Sequence, residues 1–180
     1  MQRRLRYNRS FKSVSSAAMP HEPRLTIALC SLLNTQRVAA LGTLGEDGRA
    51  FVSMVPFALD SDFAAVVIHV SALAAHARNL QIQPQVSLMV MQAEVAAEPV
   101  HALPRVTLEG EATVLVPNSP QWASARGAYL ARFPDVEFMT QLGDFRFVAI
   151  QVSGARQIAG FGAARSIDAD EIAKVLRASS

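Results

Sequence analysis

The chain has 180 residues, 51% hydrophobic and 18% charged, which suits one domain with a closed apolar core and short extensions. Its net charge of +2 is uneven: Arg3, Arg4, Arg6, Arg9 and Lys12 crowd residues 1–18, and taking these five from the 17 bases leaves 12 against 15 acids, a net −3. That mildly acidic remainder argues against a nucleic-acid face, and no apolar run is long enough for a membrane span. The one cysteine, Cys30, lies in the apolar run Ile27-Ala28-Leu29-Cys30, so an internal disulfide and a Cys/His zinc motif are excluded, no metal site is expected, and a reducing cytoplasm fits.

Residues 1–18 are Arg- and Ser-rich without an apolar h-region, and read as a disordered basic tail or a start-site extension ahead of a domain spanning 19–180. From Pro23, Leu25, Ala28, Leu29, Leu32 and Leu33 recur at helical spacing and predict an amphipathic helix. Arg37 to Leu44 and Arg49 to Phe57 read as strands of a hairpin, with Asp47-Gly48 as its turn. Asp60-Ser61-Asp62 turns into a third strand, Phe63 to Val70. A short helix from about Ala72 to Gln81 follows, ended by Pro84.

Val86 to Met91 predicts a fourth strand, and Ala93 to Leu103 a loop. Arg105 to Val116 alternates most regularly: Arg105, Thr107, Glu109, Glu111 and Thr113 on one side; Val106, Leu108, Ala112, Val114 and Val116 on the other. Pro120 starts a helix to about Arg132, on which Trp122 and Tyr129 are expected to pack onto the sheet. Phe145 to Val152 and Ala155 to Phe161 read as two last strands joined at Ser153-Gly154, and Asp168 as the cap of a terminal helix. The order is mainly β (α+β): an antiparallel six- to seven-stranded barrel with peripheral helices, not a doubly wound sheet.

Motifs for hydrolysis and dinucleotide binding are missing: there is no GxSxG, HExxH, Walker loop or GxGxxG. The informative segment is Ile68 to Leu80, where a strand runs into a helix and unpaired amides should point at the turn. Ser71 there is either a helix cap or a phosphate donor, and His76 and Arg78 either add charge or are solvated helix residues. His69 either lines a ligand cleft or packs within the barrel, and His21 and His101 fall in loops.

The segments RVAALGTLGEDGRAFVSMVPF, IHVSALAAHARNLQIQPQVSLMV, RVTLEGEATV and GFGAA, in this order, resemble the FMN-binding split barrels of the pyridoxamine-phosphate-oxidase-like superfamily, closest to the haem-utilisation and haem-degrading branch. The resemblance implies a homodimer with FMN in a cleft between subunits. It puts Ser53, Val55 and Pro56 on the flavin wall, and Ser71, His76 and Asn79, with Arg78 to compensate, around the phosphate. Arg105 precedes the Val106–Gly110 run as a flavin or phosphate contact or a plain strand charge, and Gly160-Phe161-Gly162 is either a tight backbone approach or, by the resemblance, puts Phe161 and Gly162 at the border of the flavin. Ala75 and Ala77 stand where the family commonly has phosphate donors. The first expectation is an FMN-dependent oxidoreductase of unknown substrate, with no catalytic side chain assigned. The alternatives are a haem-binding or haem-degrading barrel with His69, His76 or His101 as axial ligand, and a non-catalytic flavin-binding or regulatory barrel.

Overall fold

The computed structural model describes residues 21–179, so the basic segment 1–18 lies outside the described residues. Helix α1 (His21–Thr35) leads into β1 (Val38–Leu44) and β2 (Ala50–Asp60), an antiparallel hairpin turning at Asp47-Gly48, where Gly48 takes a positive φ of 75°. Then come β3 (Ala65–Ser71), α2 (Ala75–Ile82), β4 (Gln85–Met91), a 3-10 turn (Val100–Ala102) and β5 (Arg105–Val114). Helix α3 (Pro120–Arg132), a 3-10 segment (Pro134–Gln141), β6 (Phe145–Ile158), β7 (Ala164–Asp168) and α4 (Ala169–Ala178) complete the chain.

The sheet order is β3-β2-β1-β4-β5-β6-β7, and β3 also pairs with β6, which closes six antiparallel strands into a barrel and leaves β7 as an added strand on β6. Closure removes the strand edges that an open sheet would present. The interior is filled by alternate residues such as Leu41, Phe57, Ile68, Leu88, Leu108 and Ile150, each at most 1% exposed. Helices α1 and α4 extend that core through Leu29, Leu33, Ile172 and Leu176. On the other side of β3 and β6, α3 covers a second cluster of Val67, Tyr129, Phe133 and Phe147, with Trp122 packed against it. Strand β3 therefore has apolar neighbours on both faces, and Ala65 to Val70 are all buried.

Two polar clasps hold the helices. The Arg132 guanidinium donates to the carbonyls of Leu33, Asn34 and Gln36, satisfying the open end of α1. Arg165 on β7 donates to Glu171 of α4 (2.7 Å), Gln157 of β6 (2.9 Å) and Thr26 of α1 (3.1 Å). The cap read from sequence forms as expected, Asp168 accepting the Glu171 amide, and Ser119 caps α3 by accepting the Trp122 amide.

The structure corrects several local expectations. Ser153-Gly154 is no turn. Strand β6 runs through it, and the register moves from Glu109↔Gly154 to Gly110↔Val152, so Ser153 is the extra residue of a β-bulge. Gly110 sits where a Cβ would collide with the Gln151 carbonyl oxygen and lie 3.1 Å from Val152 Cα. Gly160-Phe161-Gly162 makes the turn instead, between β6 and β7. Val116 stands beyond β5 and is 71% exposed, while Leu115 turns in. His21 begins α1 and His101 lies in a 3-10 turn.

Candidate cofactor site

The strand-to-helix turn differs most from its sequence reading. Helix α2 starts at Ala75 rather than near Ala72, and Ala74, its N-cap, gives no side-chain hydrogen bond. The residues between β3 and α2 form a turn tied down from within. The β3–β6 register places Ser71 opposite Phe145, and Asp144 extends that ladder by accepting the Ala72 amide at 2.7 Å. Ser71 donates its hydroxyl to Asp144 Oδ2 at 2.9 Å and accepts the Leu73 amide at 3.2 Å, and its carbonyl accepts the Ala74 amide at 3.0 Å. Arg78 reaches back to the Leu73 carbonyl at 2.9 Å. A void of about 10 Å³ lies beneath α2, among Val70, Ala77, Leu80, Val114 and Val148.

One turn along, α2 docks on the β1–β2 hairpin through polar pairs. His76 Nδ1 and Ser53 Oγ share a hydrogen bond of 3.0 Å. The Asn79 amide donates to Thr43 Oγ1 at 3.0 Å, and that hydroxyl donates to the Phe51 carbonyl at 3.4 Å. Thr43 is 3% exposed, so these bonds replace water for groups that would be costly to bury alone. Burial pushes the His76 imidazole below its ordinary 6.5, so the ring is held neutral. Among the described residues nothing bonds to its Nε2.

Of the residues singled out in sequence, Ser53 and His76 meet, Asn79 joins the same seam, and Ser71 and Arg78 bond within the turn. Val55 is 2% exposed and belongs to the barrel core, with Pro56 beside it, half-buried. Arg105 lies on the outer face opposite Met91 and donates to the Leu103 carbonyl at 3.0 Å. Phe161 is 81% exposed at the β6–β7 turn, with Gly162 at φ 70°. Sequence reasoning missed Thr43 and Asp144. Thr43 carries a signal, as the one hydroxyl among the inward positions Ala39, Leu41 and Thr43; Asp144 carries none, since only the β3–β6 pairing brings it to Ser71.

His69 points elsewhere. It is 9% exposed, and its ring lies 4.3 Å from Phe147, 5.0 Å from Phe145 and 5.6 Å from Tyr129, beneath α3. Desolvation drops its pKa to about 4. His101 is exposed in its turn.

A groove of about 460 Å³ opens on the barrel's outer wall between β1, β4 and β5, with Gly42, Thr43, Ser87, Glu109 and Gly110 among its lining. Beside it the outward residues of β2, β1 and β4 form one apolar face. Met54, Ala40 and Met89 align in one row and Pro56 and Val38 in the next, with Met91 following on β4. Val52 and Met54 are 67% and 66% exposed. Among the described residues no group of three or more His, Cys, Asp or Glu comes together, and no helix is long and apolar enough to cross a membrane.

A closed six-stranded antiparallel barrel with an added strand, its wall carrying a helix docked by a His–Ser pair, defines a split-barrel protein. Residues 25–159 match the pyridoxamine 5'-phosphate oxidase family, and the chain belongs to it. The curated relative Heme oxygenase HutZ of Vibrio cholerae is 30% identical over 76% of this chain and 77% of that protein. Its crystal structure, described there as a heme storage protein, superposes with a TM-score of 0.67 at 28% identity, over 76% of this chain and 94% of that one. The chloroplast heme oxygenase HOZ of Arabidopsis thaliana is 35% identical over 74% of this chain and 40% of its own length. The heme binding protein from Mycobacterium smegmatis superposes with a TM-score of 0.74 at 27% identity, over 83% of this chain and 60% of that chain. This chain thus spans less than two thirds of the Arabidopsis and mycobacterial proteins.

Proposed function

We propose that this barrel binds haem, as the second of the sequence-based expectations had it, and that His76 is its axial ligand. The observation that carries the reading is the His76–Ser53 pair: a neutral, half-buried imidazole whose Nδ1 is engaged and whose Nε2 has no partner among the described residues. An axial ligand needs a bare ring nitrogen, and a hydrogen bond at the other nitrogen fixes tautomer and orientation. In the tautomer whose Nδ1–H donates to Ser53 Oγ, the Nε2 lone pair is left for iron. His69 is boxed in by three aromatic rings, and His101 is exposed and has no partner among the described residues to orient it. The names of the relatives support the same cofactor, and haem breakdown is the activity to assay first.

Bound haem would supply oxygen and electron chemistry at its iron. The chain's own part is to ligate through His76, to hold that ring by Ser53, and to cover the porphyrin with apolar surface. We place that cover at a homodimer interface. The face of Val38, Val52, Met54, Met89 and Met91 is the kind of contiguous apolar surface that marks a protein contact, and a second copy of the chain is the partner we propose for it. Cys30, half-buried against the core, fits the reducing cytoplasm in which we place the protein.

A hemin titration followed by absorbance tests this. The expected result is a saturable Soret shift that His76→Ala abolishes, while His69→Phe and His101→Ala retain it. A shift unchanged by His76→Ala overturns the ligand assignment. Family membership favours a second reading, an FMN-dependent oxidoreductase; freshly purified yellow protein with flavin absorption bands would put it first.

A further inference from the structure

The turn between β3 and α2 is the place where this chain would recognise a phosphate: a serine, a nearby arginine and a helix start converge there. Yet the donors of the turn ahead of α2 are already committed. The amides of Ala72, Leu73 and Ala74 are bonded to Asp144 O, Ser71 Oγ and Ser71 O, and the Ser71 hydroxyl to Asp144 Oδ2. Arg78 spends one guanidinium nitrogen on the Leu73 carbonyl, and Asn79 its amide on Thr43. A carboxylate, moreover, already stands where the hydroxyl would meet a phosphate oxygen.

We propose that Asp144 is a specificity residue: its carboxylate plugs the phosphate position of the turn and excludes phosphate-bearing flavin, leaving the barrel to a cofactor that does not anchor there. Naming that cofactor as haem rests on the reading above; the exclusion of FMN stands without it. Exclusion acts in two ways. A phosphate entering the turn must displace Asp144 from Ser71 and then sit beside a like charge. Riboflavin, which has the same ring and no phosphate, meets neither obstacle, so the pair isolates the effect.

Three ligands, FMN, riboflavin and hemin, are titrated against the wild-type chain, Asp144→Asn and Asp144→Ala, with flavin binding read by fluorescence quenching and folding by circular dichroism. Asp144→Asn keeps size and an acceptor oxygen while removing the charge; Asp144→Ala empties the position. The wild type is expected to bind FMN no better than riboflavin, and both variants to raise the FMN-to-riboflavin affinity ratio at least tenfold, Asp144→Ala the more. Hemin affinity should stay within about twofold. A tenfold preference of the wild type for FMN, or an unchanged ratio in a folded variant, overturns the proposal. Failure of hemin to bind any form sinks the haem reading alone and leaves the ratio to judge Asp144.

Discussion

His69 and His76 lie one on each side of the β3–α2 turn, both buried enough to stay neutral, and they do opposite things. His69 sits in the aromatic annex under α3, among Phe145, Phe147 and Tyr129, with no hydrogen bond among the described residues. His76 sits in the polar seam where α2 meets the β1–β2 hairpin, held by Ser53. Desolvation alone makes a histidine a poor base and a packing unit. Desolvation with one nitrogen engaged and the other bare is the state the proposed ligand role requires. The two regions therefore separate stability from chemistry within one turn of chain.

The largest effect that can break this contrast is in the annex. Phe147 is 2% exposed, and Phe147→Ala should cost about 3–5 kcal/mol in urea denaturation while leaving hemin affinity nearly unchanged. A similar loss in hemin affinity would mean that the annex and the seam are one site. Acid should act through the same region. His69 is held neutral down to a pH of about 4 when folded, whereas the unfolded chain protonates it below its ordinary 6.5. Its contribution is complete above pH 6.5 and drains away as pH falls toward 4, by roughly 3 kcal/mol. Denaturation midpoints at pH 7, 5.5 and 4.5 should show this slope in the wild type and a flatter one in His69→Phe, with His76 leaving a residue of it. Equal slopes would contradict the assignment.

The seam predicts smaller effects on stability and larger ones on ligand. Ser53→Ala should weaken hemin binding roughly ten- to a hundredfold, because the imidazole loses its orienting bond. Its thermal stability should change by about 1 kcal/mol. Asn79→Ala, which removes only the bond to Thr43, is expected to cost about 1 kcal/mol and to alter hemin affinity least. If Asn79→Ala and Ser53→Ala proved equivalent in hemin titration, the seam would be a helix dock and nothing more.

Much of the barrel is legible in the residues. The Val106–Leu108 alternation, the Asp47-Gly48 turn and the caps at Ser119 and Asp168 are local signals, and the structure realises them. What misled were features whose meaning is set at a distance. Ser153-Gly154 has the chemistry of a turn, but pairing of β6 with β5 on one side and with β3 and β7 on the other keeps the strand intact and turns the extra residue into a bulge. Strand β7 carries a single buried residue, Ile167, too little for a periodic pattern. Ser71 looked free because its partner, Asp144, is 73 residues away. Ser53, His76 and Asn79 were singled out from sequence, but the Ser53–His76 and Asn79–Thr43 bonds belong to the packing of α2 on the hairpin.

The claim beneath all of this is the state of one imidazole. Nitrogen-15 NMR of selectively labelled histidine in the cofactor-free protein at pH 7 reads it directly. His76 should appear as the neutral tautomer protonated at Nδ1, with that proton lost from slow exchange in Ser53→Ala. A His76 found as imidazolium, or protonated at Nε2, would leave no lone pair for iron and would contradict the proposed ligand.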